Sequence, residues 1–199
     1  MKIAIIVEGK TEKAFMPILR SFLKSRLQQM PKLDPKPQHG RIPKEDKLKR
    51  VVENLLEDGY DAVMALTDVY TGTKDFKDAA DAKAQMKKWV GNNLQFYPHA
   101  AQYDFEAWLL PFWDRIQELA KYKKSPPSGQ PEQVNHHKPP SKHIQEIFEL
   151  GKCRDSYSKT RDAPNILKDQ DLMKAVTVCP ELKAFVNTIL LLCDGDMIH

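Results

Sequence analysis

The sequence predicts an α/β fold: a mostly parallel sheet of about four strands, helices on both faces and a helical C-terminal extension. Three observations carry this. Residues 3–7 and 60–67 are short, apolar runs of the kind buried on both faces of a parallel sheet. Segments with apolar residues at helical spacing separate the runs, and such alternation joins parallel strands by right-handed crossovers. Both runs stop at an acid, Glu8 and Asp68, followed by turn-forming residues.

In chain order, the first strand ends in Glu8-Gly9-Lys10-Thr11-Glu12, where Gly9 permits a tight turn and Thr11 is a good cap for a helix begun by Glu12. Residues 12–29 place Phe15, Ile18, Leu19, Phe22, Leu23 and Leu27 at helical spacing, with Pro17 in the early turns. Residues 30–43 are proline-rich and basic and read as a loop with a short strand near 40–42. Residues 44–58 form a helix closed by Gly59. After the strand ending at Asp68, Asp75 or Asp78 opens a helix running to Val90, and residues 96–102 are a third strand candidate leading to Asp104 and Glu106. An apolar helix follows, with a kink or restart at Pro111. Residues 141–150, 165–176 and 180–193 read as helices, the last begun by Pro180. The chain thus divides into an α/β core over 1–121, a proline-rich loop over 122–140, and a helical extension over 141–199 packing on the same domain. The loop is too long for an ordinary connection and contains His136 and His137, a weak signal for metal.

Composition excludes several classes. The 199 residues are 41% apolar and 29% charged, ordinary for a globular chain. No segment approaches the ~18 apolar residues that span a bilayer. Residues 3–7 are too short for a secretory signal and run into Glu8, so a cytoplasmic location is expected. Cys153, Cys179 and Cys193 have neither zinc-site nor disulfide spacing. Residues 20–50 hold ten basic residues against three acids, a local balance of +7 that suits a polyanion as well as a solvated face.

Residues 4–11 spell A-x-x-x-x-G-K-T, a P-loop lacking its first glycine. Ile5, Ile6 and Val7 belong in a strand and Glu8 would repel phosphate, so this reading is rejected. The acids carry more. Glu8 with Glu12, Asp68, and Asp104 with Glu106 all follow strand ends, and carboxylates gathered on one sheet edge suit Mg²⁺ or Mn²⁺. A metal so held activates water and stabilises a leaving oxygen in phosphoryl transfer. Lys10 and Lys74, and more weakly Lys138 and Lys159, could neutralise a phosphate. Trp108 and Trp113 fit core packing, while one of Tyr103 and Phe105 must face away from the core.

Val7-Glu8-Gly9-Lys10-Thr11-Glu12 resembles the V-E-G-x-T-E glutamate motif of Toprim domains, most closely those of the OLD family of nucleases. Leu66-Thr67-Asp68-Val69-Tyr70 is similar to that family's D-x-D motif, but Tyr70 stands where the second aspartate belongs, a role left to Asp75 or Glu106. The stretches from Gln102 to Leu110, Tyr157-Ser158-Lys159, and Cys179 to Val186 are similar to an uncharacterised Toprim-related bacterial group often encoded beside AAA or SMC-like ATPases. The resemblance implies a Mg²⁺- or Mn²⁺-dependent nuclease acting on DNA or RNA in phage defence with an ATPase partner. Glu8, Glu12, Asp68, Asp104 and Glu106 would hold metal, with Lys10 at the reaction centre and no membrane partner. An oligomer stays open. Two alternatives remain: a degenerate module regulating an ATPase, and a small-molecule phosphate enzyme.

Overall fold

The computed structural model describes residues 1–38, 40–69, 75–135, 138–152 and 156–199, with Lys10 described in its backbone only. Strands β1 (Lys2–Val7), β3 (Ala62–Asp68) and β4 (Phe96–Ala101) lie where the apolar runs place them. With β2 (Lys32–Pro37) they form one four-stranded sheet in the order β2-β1-β3-β4, and every pairing is parallel.

Strand β2 corrects the expectation of a loop with a strand at 40–42. Two prolines hid it. The Lys32 N–H donates to the Met1 carbonyl and the Gln38 N–H to the Val7 carbonyl, so even-numbered residues face β1. Pro35 and Pro37 therefore occupy positions whose N–H would point away from the sheet, and no ladder bond is lost. Strand β4 follows the same rule. Its Gln95 and Ala101 carbonyls accept from Val63 and Val69, which leaves Pro98 facing outward. Both edges of the sheet thus carry proline, which blunts strand addition.

Side chains alternate between two faces with period two. Ile3, Ile5, Val7, Met64 and Leu66 enter a large core with Phe15, Trp108, Phe148 and Phe185. Ala4, Ile6, Val63 and Ala65 enter a smaller core with Leu48, Val52 and Met86. The first core runs without interruption from Ile3 to Leu190, so the C-terminal helices share it with the sheet.

Helix α1 (Lys10–Lys24) begins earlier than expected, and Gly9 rather than Thr11 is its N-cap. Gly9 is extended (φ −153°), not left-handed, and a Cβ there would meet Glu12 Oε2 at an ordinary 3.7 Å. Helix α2 (Glu45–Glu57) ends at Gly59 with φ +80°, as anticipated. Helix α3 (Ala79–Val90) is opened by Asp78, whose carboxylate accepts the Asp81 N–H at 2.8 Å. After β4 a 3₁₀ segment (Phe105–Phe112) gives way to α4 (Trp113–Ala120), the restart expected near Pro111.

Helix α5 (Pro140–Gly151) ends against α4 so closely that a Cβ on Gly151 would fall 1.8 Å from the Ala120 carbonyl oxygen. The single helix expected over 165–176 is two, α6 (Lys159–Leu167) and α7 (Met173–Val178). Asp169 separates them in the left-handed region (φ +59°). Helix α6 begins at Lys159 because the Asp162 carboxylate caps it, accepting the Ser158 N–H at 2.8 Å. Helix α8 (Pro180–Leu192) starts at proline, as predicted, and its Phe185 packs edge-on to His99 of β4 with ring centroids 5.4 Å apart. Among the described residues no helix is long and apolar enough to cross a membrane.

Candidate metal centre

From β1 the chain steps to β2 on one side, and from β3 it steps to β4 on the other. The crevice between the carboxyl ends of β1 and β3 is therefore the topological switch point, where open α/β sheets bind ligands. Glu8 directly follows β1 and Asp68 ends β3. They meet there. Glu8 Oε1 accepts the Asp68 backbone N–H at 3.2 Å and the hydroxyl of buried Thr67.

Three further carboxylates lie within electrostatic reach of this pair or of one another. Glu12, in the first turn of α1, curls back to accept the Gly9 N–H at 3.0 Å. Asp104, just past β4, accepts the Ser141 N–H at 3.1 Å through Oδ2, while its buried Oδ1 has no partner. Glu106 lies in the 3₁₀ segment and is fully buried. Its two oxygens accept the Tyr157 hydroxyl at 3.1 Å and the Lys159 ammonium at 2.9 Å.

The five acids feel one another. Burial is the main force raising the pKa of Glu8, and the Glu12 charge adds to it against the hydrogen bonds from Thr67 and Asp68. Glu12 is raised by burial and by Glu106. Asp68 is raised well above the carboxylate range by burial, then by Glu8, Asp104 and Glu12. Asp104 is pushed up to about 7, again by burial first and Glu106 second. Lys159 answers them: burial alone would lower its pKa, but Glu106, Asp68 and Asp104 hold it protonated. Arg41, which follows β2, adds positive potential at Glu8.

Among the described residues, no three Asp, Glu, His or Cys side chains already stand in metal-coordinating geometry. Three of the acids have other partners: Lys159 holds Glu106, Gly9 holds Glu12, and the Thr67–Asp68 corner holds Glu8. The chemistry nevertheless fits a hard divalent cation. All donors are carboxylate oxygens, four carry raised pKa values that a cation would lower, and Asp104 Oδ1 is a buried acceptor in want of a partner. Glu8, Glu12, Asp68, Asp104 and Glu106 would hold it, with Glu12 and Glu106 exchanging their present partners for the ion.

Other candidates fall elsewhere. Lys10 opens α1, but its side chain lies outside the described residues, as do Tyr70, Lys74, His136, His137 and Cys153. Asp75 pairs with Arg41 at 3.0 Å and Lys44 at 2.8 Å. Lys138 pairs with Glu146 of α5. Trp108 and Trp113 are buried, as expected, and Phe105 is the core-facing residue of the pair flanking Asp104. Sequence reasoning missed Glu132. This carboxylate accepts the Trp108 indole N–H at 2.8 Å and the Glu181 and Leu182 N–H groups at 3.0 and 3.3 Å, tying the proline-rich loop to the start of α8. A lone acid in a polar loop gives no sequence signal for such a role.

Comparison with known proteins supports the architecture. The fold is similar to the C-terminal region of the Burkholderia pseudomallei OLD protein, with a TM-score of 0.55, 12% identity and coverage of 94% of this chain and 96% of that one. The C-terminal region of the Xanthomonas campestris pv. campestris OLD protein aligns with a TM-score of 0.46 and 14% identity, over 95% of this chain and 96% of that one. At these identities the first likeness is one of fold. No curated protein matches the sequence. A family model described as "Domain of unknown function (DUF4276)" matches residues 7–190, nearly the whole chain, and the protein belongs to that family.

Proposed function

We propose that this protein is a Toprim-like, Mg²⁺- or Mn²⁺-dependent nuclease that cleaves phosphodiester bonds in nucleic acid, working in phage defence beside an ATPase. One observation carries the reading: acids from three strand ends share one electrostatic cluster at the switch point, with a lysine among them. The fold likeness to an OLD C-terminal region agrees with it. A bound divalent cation would supply Lewis acidity and an activated water.

The chain's own groups supply the rest. Glu8, Glu12, Asp68, Asp104 and Glu106 would fix the ion at the sheet edge. The Lys159 ammonium, about half exposed while bonded to buried Glu106, is positioned to pair with a phosphate oxygen as negative charge develops. Arg41 and Lys44, with the basic residues of α2 up to Arg50, would grip the backbone on the β2 side. The test is cleavage of plasmid DNA and single-stranded RNA with either metal, comparing the wild type with Glu8→Ala. Metal-dependent cleavage lost in the variant supports the assignment. Equal activity in both proteins, or none in the wild type, removes it.

A second reading rests on the absence of a ready three-ligand set among the described residues. In it the site is degenerate, Lys159 permanently takes the cation's place, and the chain regulates an ATPase. Calorimetric titration with Mn²⁺ separates the two, since only a working site binds.

A further inference from the structure

Beside the carboxylate cluster, on the β4 side, lies a crevice of about 580 Å³ between the end of β4, the 3₁₀ turn Pro131–Gln133 and the junction of α7 with α8. We infer that this crevice is a nucleobase subsite, receiving one base unstacked from the strand whose phosphate lies at the metal centre. The inference rests on the nuclease reading only for its purpose; the binding itself requires no metal.

The lining chemistry argues for a base. Gln102, Gln130 and Gln133 bring three carboxamides, each both donor and acceptor, as the mixed edges of a base require. Tyr103 adds an aromatic ring of the kind on which bases stack. The described lining contains no lysine or arginine, and its two acids are already engaged: Glu132 by Trp108 and the α8 amides, Glu181 by Lys83 at 2.6 Å. A phosphate would find no countercharge here. A neutral, flat, polar group would.

Position argues the same way. Gln102 and Tyr103 directly precede Asp104, so the crevice adjoins the metal centre through the chain itself. Arg41 and Lys44 follow β2, and their side chains reach across to Asp75, between β3 and α3. A strand crossing the sheet edge would thus find cations and the carboxylate cluster beside the crevice. Tyr103 also holds a left-handed backbone (φ +68°), unfavourable for a bulky aromatic residue and typical of strain kept at working sites. Gln102 is fixed in turn by accepting the Ala79 N–H at 2.8 Å.

The test uses nucleosides, which carry no phosphate, in excess EDTA. Adenosine and cytidine are titrated into the full-length protein while the side-chain amide signals of Gln102, Gln130 and Gln133 are followed by NMR. Saturable shifts are expected for at least one of them. Thr177→Trp, at an exposed rim position, should abolish binding by filling the crevice, and Gln133→Ala should weaken it about tenfold. No saturation up to the solubility limit, or unchanged binding in Thr177→Trp, overturns the inference. Because neither metal nor phosphate takes part, that failure leaves the nuclease reading standing, and a protein inactive as a nuclease can still bind nucleosides.

Discussion

The Asp68 backbone N–H donates to the Glu8 carboxylate at 3.2 Å, joining residues sixty positions apart across the β1–β3 crevice. This bond draws two acids together at the point where the sheet's strand order reverses. Their mutual repulsion is held in the fold, and a cation is the natural relief.

That repulsion has a pH signature. Glu8, Glu12, Asp68 and Asp104 all titrate above their ordinary values, chiefly through burial. Between the ordinary carboxylate range and about 7, the value for Asp104, the folded chain holds protons that the unfolded chain has lost. The resulting stability is full below that window and is lost as pH rises through it, by up to about 1.4 kcal/mol per pH unit for each group. In EDTA, Tm should fall between about pH 5 and pH 8. Mn²⁺ should raise Tm more at the higher pH, by about 2–4 °C per kcal/mol. An equal Mn²⁺ effect at both pH values in scanning calorimetry would contradict the cluster.

Lys159 and Glu106 should behave as a coupled pair. Lys159→Met leaves a fully buried carboxylate with only the Tyr157 hydroxyl, at a cost of about 1–2 kcal/mol, discounted because Lys159 is itself half exposed. Adding Glu106→Gln should recover most of that stability without restoring cleavage. Urea denaturation of the four proteins in a double-mutant cycle measures the coupling, and simple additivity would deny the pair.

Glu132 should matter for stability and not for metal. Glu132→Ala leaves the buried Trp108 indole N–H and the first amides of α8 without their acceptor, a loss of about 2–4 kcal/mol. Glu132→Gln should fall between. Chemical denaturation followed by tryptophan fluorescence gives the order, and an unchanged midpoint in Glu132→Ala would refute it.

His99 should oppose the carboxylates. Burial, helped by the Lys83 charge, lowers its pKa to about 3, and its buried Nδ1 has no partner. Below about 6.5 the unfolded chain takes up a proton that the folded chain refuses. Stability from this group is therefore complete above that pH and falls as pH drops toward 3. His99→Leu should be least harmful, or even stabilising, in acid. The difference between variant and wild-type urea midpoints across about pH 4–7 isolates it from the carboxylates. A constant difference would show that His99 does not titrate in this way.

The sequence disclosed most of the frame because its signals were local. Apolar runs marked β1, β3 and β4, and each run's terminal acid marked the sheet edge. Strand β2 escaped because Pro35 and Pro37 look like loop until the register puts both on the outward side. The single helix read over 165–176 failed because nothing in the sequence marks Asp169 as left-handed. At the site, the acids could be named one by one, but their partners could not. Tyr157 and Lys159 reach Glu106 across more than fifty residues, and that contact exists only after α6 packs against α1 and the 3₁₀ segment.

Calorimetric titration of Mn²⁺ into the wild type and Asp68→Asn near neutral pH tests the centre most directly. Saturable binding by the wild type, weakened at least about tenfold in the variant, is the expected result. No binding by the wild type, or equal binding by both, would contradict a metal site at the β1–β3 crevice.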